Sequence, residues 1–355
     1  MGLKTVIIQS VGSATPSVGK TLSDLLEVDP QIIARLLYCT PSVLAKEIEE
    51  SLARKIETIL AEAGIEVRIQ EKDDPLPPPP QLYELAVHVD DIRKFPEVNK
   101  ALSEFLGCTE QEALKLMLTD PSIVLGGVSL STAEALKNKI NAEVLASNPQ
   151  TDLYTLKIIG EDQSLLKEIT QVLQKTSIKT KPNQKVFENI DHKTSQVIWS
   201  RFQQTGNIKL MNQSFQRYDI LLHEFDVENE EQKNCLLHGV GMPENIIYIL
   251  SDNMPVVLDE SVDNMMRIEK MKTYAEAGLT CSYHPLLFQD YNIMIHEIES
   301  PEKTKEVIKL FFPEEKNRTI SAKWVSPHKT NHLLSRYIVH LLEKAGCVAE
   351  ILKTE

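Results

Sequence analysis

Three six-residue stretches, Tyr83-Glu-Leu-Ala-Val-His88, Tyr218-Asp-Ile-Leu-Leu-His223 and Tyr291-Asn-Ile-Met-Ile-His296, carry Tyr and His at one spacing around alternating apolar residues. Internal repetition constrains a fold more than any single motif, because each copy must be one supersecondary unit. Two looser openings, Tyr154-Thr-Leu-Lys-Ile-Ile159 and Lys4-Thr-Val-Ile-Ile-Gln9, extend the series to five. A second marker is a long helical pattern that stops at Ala63-Gly64, Thr205-Gly206, Ala277-Gly278 and Ala345-Gly346, each directly ahead of a strand-like run. Glycine there supplies the left-handed residue that ends a helix. The second copy has Asn141-Ala142 instead, and Asn is the other residue that tolerates that conformation.

Between these markers the copies carry two short helical patterns and a further apolar run. The order is β-α-α-β-α-β. The short helices fall at residues 18–27 and 30–37, at 97–106 and 110–118, and at 228–237 and 243–250. Residues 175–185 are polar and 314–318 charged, so the second helix of copies three and five is expected to be shortened or lost. In the first copy Ile48, Leu52, Ile56 and Leu60 form an i, i+4 stripe, read as the buried face of its long helix. The chain is therefore expected to be α+β: a tandem array of about five small domains, each a three-stranded antiparallel sheet with helices on one face. The boundaries are residues 1–72, 82–149, 150–216, 217–288 and 289–355, with a stiff Pro-rich linker at 73–81. A length of 355 residues accommodates five domains of roughly 70 residues each.

Composition bounds the partners. The net charge of −13 and a pI near 5.3 oppose nucleic acid and anionic membrane, and no dense basic patch offsets them. Cys39, Cys108, Cys235, Cys281 and Cys347 lack the close pairing of a zinc site and are expected to be reduced thiols. The chain enters a strand-like run without a basic-then-apolar leader and has no membrane-length apolar run, so a cytoplasmic protein is expected.

One stretch resembles catalytic machinery. Ala14-Thr-Pro-Ser-Val-Gly19-Lys20-Thr21 satisfies a relaxed phosphate-loop pattern between a strand and a helix. Its first glycine is Ala, Pro16 removes a backbone donor, and no second strand ending in Asp follows. Nucleotide binding through Gly19, Lys20 and Thr21 is the least favoured reading, and no catalytic residue, cofactor or metal is assigned. One His per domain cannot hold an ion by itself.

Strand alternation places His88, His223 and His296 opposite their Tyr, on the face turned away from the helices, along with Ile7, Ala86, Leu221 and Met294. Apolar residues recurring on that face predict sheets packed on neighbouring domains or on partners. Phe311, Phe312 and the Met265, Met266 and Met271 cluster are candidate docking anchors, weighed against ordinary core packing.

The element order with its Ala-Gly turn resembles the C-terminal domain of the bacterial ribosomal stalk protein and the related ClpS adaptor fold. The likeness is carried by residues 6–12 and 60–67 of the first copy, and by Glu112-Ala113, Pro121, Gly127-Val128-Ser129 and 133–137 of the second. The stalk domain recruits translational GTPases through a Lys-rich face, where this chain has Gln111, Leu114 and Leu125. ClpS reads N-terminal residues with an Asn-Asp-Asp turn and a downstream His; here stand Val89-Asp90-Asp91 and Thr119-Asp120-Pro121. The resemblance implies a scaffold that binds proteins, with Asp90 and Asp91 retained. The expected function is a non-enzymatic scaffold or adaptor for one or more proteins. The alternative is a self-associating structural subunit.

Overall fold

The computed structural model describes residues 2–14, 16–119, 122–176, 178–250, 254–318 and 320–353. The chain forms two compact units, Met1–Gln150 and Thr151–Glu355. The first holds two repeats. Repeat one comprises β1 (Leu3–Ser10), α1 (Pro16–Leu26), α2 (Pro30–Tyr38), β2 (Ser42–Glu49), α3 (Glu50–Glu62) and β3 (Glu66–Glu71). Repeat two follows as β4 (Tyr83–His88), α4 (Phe95–Leu106), α5 (Glu110–Met117), β5 (Ile123–Val128), α6 (Leu130–Lys139) and β6 (Glu143–Ser147).

The second unit holds three. Repeat three is β7 (Tyr154–Ile158), α7 (Gln163–Leu173), β8 (Val186–Ile190), α8 (His192–Phe202) and β9 (Ile208–Asn212), with no second helix among the described residues. Repeat four is β10 (Tyr218–Glu224), α9 (Glu230–Asn234) running into a π-helical turn at Cys235–Val240, α10 (Glu244–Leu250), β11 (Val256–Val262), α11 (Asn264–Glu276) and β12 (Thr280–Pro285). Repeat five is β13 (Tyr291–Ile298), α12 (Pro301–Phe311), a 3-10 turn at Pro313–Asn317, β14 (Trp324–Val325), α13 (His332–Lys344) and β15 (Cys347–Lys353).

Five separate three-stranded antiparallel sheets result, and in every one the first strand lies in the middle. A central strand is bonded along both edges, so its side chains alone decide what covers each face. Inward residues of β7 (Tyr154, Leu156, Ile158) pack with Ile169 and Leu173 of α7 and Ile198 of α8. Tyr218, Ile220 and Leu222 of β10 do the same with Leu236, Ile247 and Tyr274. In repeat five Ile293 and Ile295 meet Ile308, Ile338 and Leu342. Repeats three, four and five are thus each a sheet packed with helices around its own small apolar core.

The long-helix stripe of the first repeat needs correction. Ile48 belongs to β2, and Leu52 is exposed on α3, whose buried positions are Ala53 and Leu60. Leu60 is buried and Ile56 half-buried as the stripe expects, while Ala53 takes the buried place expected of Leu52.

A local device recurs where the second strand enters the long helix. Glu47, Gly127, Asn189 and Ser261 have positive φ, and each stands three residues ahead of a helix's first residue: Glu50, Leu130, His192 and Asn264. The ladder register slips there. The following residue, Ile48, Val128, Ile190 or Val262, then faces the first strand opposite Lys4, Tyr83, Tyr154 or Tyr218. The extra residue bends the strand and turns the chain into the helix. In repeats three and four the next residue is Asp191 or Asp263, whose carboxylate caps the helix by accepting from the backbone N–H of Thr194 or Met266.

At the far end of α3, α8, α11 and α13, Gly64, Gly206, Gly278 and Gly346 all have positive φ. Asn141 does not play that part in repeat two. There Ile140 leaves α6 directly in an extended conformation (φ −109°, ψ 145°) and is itself buried, so the helix stops without a left-handed residue.

Gly12 and Gly64 differ from the other turns in that they meet each other. A Cβ on Gly12 (φ +55°) would lie 2.3 Å from the Gly64 carbonyl oxygen, whereas one on Gly206 (φ +68°) would meet open space. Gly206→Ala is expected to cost about 1–2 kcal/mol, the left-handed penalty alone. Gly12→Ala adds overpacking and is expected to cost about 2–5 kcal/mol. Hydrogen exchange of β1 and β3 amides should rise far more in Gly12→Ala than β7 and β9 amides do in Gly206→Ala.

Candidate functional site

The three strand-end histidines occupy equivalent places. The Nε2 of His223 lies 2.6 Å from the Ser282 hydroxyl of β12, and that of His296 lies 2.9 Å from a Glu350 carboxylate oxygen of β15. His88 Nε2 approaches Asp90 Oδ1 at 3.0 Å, and its register partner across the ladder is Glu143 of β6. The first two histidines thus reach from the central strand to the third strand of their own sheet, and His88 pairs with that strand in register.

The acidic pair Asp90-Asp91 divides its work. The Asp91 carboxylate receives Arg93 Nε at 2.8 Å and a terminal guanidinium nitrogen at 2.9 Å, and it also accepts the backbone N–H of Arg93. Those hydrogen bonds hold its carboxyl at about 2, well below the usual range. Asp90 instead turns its carboxylate to His88.

Gly19, Lys20 and Thr21 lie inside α1, past its first turn. Their amides sit where a helix bonds its own backbone, so they offer no cradle of donors to a phosphate. A Cβ on Gly19 would stand 3.4 Å from Leu37 of α2, which assigns this glycine to the packing of two helices. Thr15 of the same pattern, and Asp120 and Pro121 from the family likeness, lie outside the described residues.

Phe312 is a core residue, which corrects its reading as a docking anchor: it is 2% exposed, and its ring meets Trp324 at 5.6 Å. Phe311 packs beside that core and against Tyr337, edge to face. Leu221 is buried and Met294 half-buried on the outward sheet faces.

Within the second unit those faces are turned inward. Lys353 of β15 reaches Asp219 of β10 at 3.4 Å. Lys157 of β7 donates to the Phe288 carbonyl at 2.5 Å, and Lys209 of β9 lies 3.6 Å from Asp290. Burial and the neighbouring Lys209 push the Lys157 ammonium below its ordinary pKa. Inside the first unit Ile7 and Ala86 are likewise buried. The outward faces therefore serve packing between repeats.

A hydroxyl cluster joins repeats one and two, a contact that no sequence signal marks. Thr40 Oγ1 lies 3.1 Å from Ser129 Oγ, while Ser129 N–H and Thr132 Oγ1 donate to the Tyr38 carbonyl at 2.8 and 2.9 Å. Beside it a cleft of about 590 Å³ opens at the Gly12–Gly64 turn, lined in part by Glu66, Glu104, Glu134 and Lys139. Lys139 lies 3.3 Å from Glu104, so the remaining charge of the cleft is negative.

Large apolar side chains are exposed on several elements, among them Leu310 of α12, Trp199 of α8 and Val348 of β15, and they are densest on α10 and α11 of repeat four. Met265 (78% exposed), Met266 and Ile268 project from α11, whose fully buried residue is Tyr274, and Tyr248 and Ile249 project from α10. Met271 packs on the core of repeat four instead.

Four of the five thiols are poorly suited to nucleophilic work. Burial pushes Cys39, Cys108, Cys235 and Cys281 above the ordinary thiol pKa, Cys281 to about 11, with Cys235 and Asp259 adding to it. A raised pKa keeps the thiol protonated at neutral pH, the reverse of what a nucleophile needs.

Comparison with known protein families, curated proteins and solved structures finds no match to this chain. The fold itself defines the class, a tandem α+β array in two units. No helix among the described residues is long and apolar enough to cross a membrane.

Alkylation of Cys281 at pH 8 is expected to be roughly a hundredfold slower in the folded chain than in denaturant, approaching the denatured rate only as pH rises toward 11. Mass-spectrometric footprinting with iodoacetamide measures this.

Proposed function

We propose that the chain is a non-enzymatic protein-interaction scaffold that presents small α+β domains to one or more protein partners. The observation that carries this reading is the fivefold use of one sheet-and-helix unit, whose sheets are occupied by packing while helices α10 and α11 keep large apolar side chains exposed. Exposed Met and Tyr suit recognition, since Met is adaptable and Tyr combines an apolar body with a polar tip. Linked domains gain further from effective concentration. The raised pKa of Cys39, Cys108, Cys235 and Cys281 supports the same reading.

The likeness to the stalk-protein and ClpS folds belongs to this proposal as well, because both families recognise proteins. His223 and His296 are engaged within their own sheets by Ser282 and Glu350, and the partner-facing surface is assigned to Met265, Met266, Ile268, Tyr248 and Ile249. Self-association of the chain is the competing reading.

The test is affinity capture from the native cell with the full chain and with a Met265→Glu/Ile268→Glu double variant. The proposal expects a distinct protein retained by the wild type and reduced at least about fivefold by the variant, consistent with a loss of roughly 1 kcal/mol or more. Equal recovery with both chains refutes the assigned surface. A wild type that retains only copies of itself refutes the scaffold in favour of self-assembly.

A further inference from the structure

The strand-end histidine of repeat two differs from its counterparts in one respect of register. In repeats four and five the ladder between the first and third strands slips at this point, between Leu222 and Glu224 and between Ile295 and Glu297. In repeat two it runs without a slip to the end of β4, so His88 stands directly opposite Glu143. The chain then turns, and Asp90 comes back to within 3.0 Å of the imidazole Nε2. One ligand atom from each of His88, Asp90 and Glu143 lies within 4.8 Å of the others, and this is the one such grouping of three His, Cys, Asp or Glu residues among the described residues.

We propose that His88, Asp90 and Glu143 bind a divalent transition-metal ion of the zinc class. Two donors each about 2.0–2.2 Å from one ion lie roughly 3.0–3.5 Å apart, so the His88–Asp90 pair already has the required separation. Glu143 closes the triangle with a modest rotamer change. Its exposed side chain already places a carboxylate oxygen within 4.8 Å of the other two ligand atoms. The donor set is one imidazole nitrogen and two carboxylates. Two carboxylates neutralise the double charge of the ion, and the imidazole favours zinc, nickel or copper over magnesium or calcium, which prefer oxygen donors. Asp91 is not a ligand, because Arg93 occupies both of its oxygens.

Backbone placement favours the site over a chance meeting of surface groups. His88 is the least exposed of the three, with a side chain 17% accessible, and it is fixed at the end of a central strand. Glu143 is fixed by the ladder on β6, and Asp90 follows His88 by two residues on the adjoining turn. His223 faces a serine and His296 a single glutamate, so repeats four and five supply internal controls with the same strand and fewer donors.

The experiment is equilibrium competition for zinc between the full chain and a chromogenic chelator, run on the wild type, Glu143→Gln, His88→Ala and His296→Ala. The proposal expects one zinc bound per wild-type chain. Glu143→Gln and His88→Ala should weaken binding by at least the roughly 10–100-fold that loss of even an outer supporting group brings. His296→Ala should match the wild type. Glu143→Gln changes an exposed side chain by one atom and keeps the fold, which circular dichroism checks. Wild-type-like affinity in Glu143→Gln, or an equal loss in His296→Ala, overturns the site, as does a wild type that takes up no zinc.

Discussion

Everything in this chain depends on a strand being covered on both of its faces. The opening strand of each repeat lies in the middle of a three-stranded sheet, and its inward residues are sealed by helices. A domain of roughly 70 residues has little interior to spare, because a small body keeps a large fraction of its surface in contact with water. Burying the second face of the sheet recovers part of that loss. Thr5, Ile7 and Ala86 in the first unit, and Thr155, Asp219 and Leu221 in the second, are all nearly inaccessible. The repeats are therefore mutually dependent within their units rather than independent beads.

That dependence redistributes function. A sheet face that packs against a sister repeat is not available to a partner, so the proposed recognition falls to the helical side. There α10 and α11 retain apolar side chains that no core requires. The same logic accounts for the polar residues on the inner seams. Lys157, Lys209, Lys353, Asp219 and Asp290 join repeats by ion pairs and a lysine-to-carbonyl hydrogen bond instead of apolar contact. Such contacts fix register and orientation more than they add stability. At His88, within repeat two, a histidine and two carboxylates meet at one strand end.

Much of the architecture was legible in residues that do one job. The Tyr and His spacing marked the central strands, and glycine marked four helix ends because few other residues adopt the left-handed conformation without cost. Where the same backbone conformation is met by other residues, the signal fades. Glu47, Asn189 and Ser261 take up the left-handed position ahead of the long helices, with no residue type in common to reveal it. Asn141 shows the converse, a residue suited to the turn at a place where burial of Ile140 ends the helix without one. Phe312 illustrates a third limit. Adjacent aromatic residues read alike in sequence, yet one fills the core and the other lies at its margin.

The sequence by itself determined the repeat, its element order and the side of each strand that meets the helices, since all of these follow from local periodicity and from turn residues with restricted backbones. Tertiary structure alone decided which sheets cover one another, which of Asp90 and Asp91 is tied to Arg93, and that Glu143 stands opposite His88. These depend on ladder register and on contacts between residues far apart in the chain, where one residue's slip moves every partner. No local pattern encodes that slip.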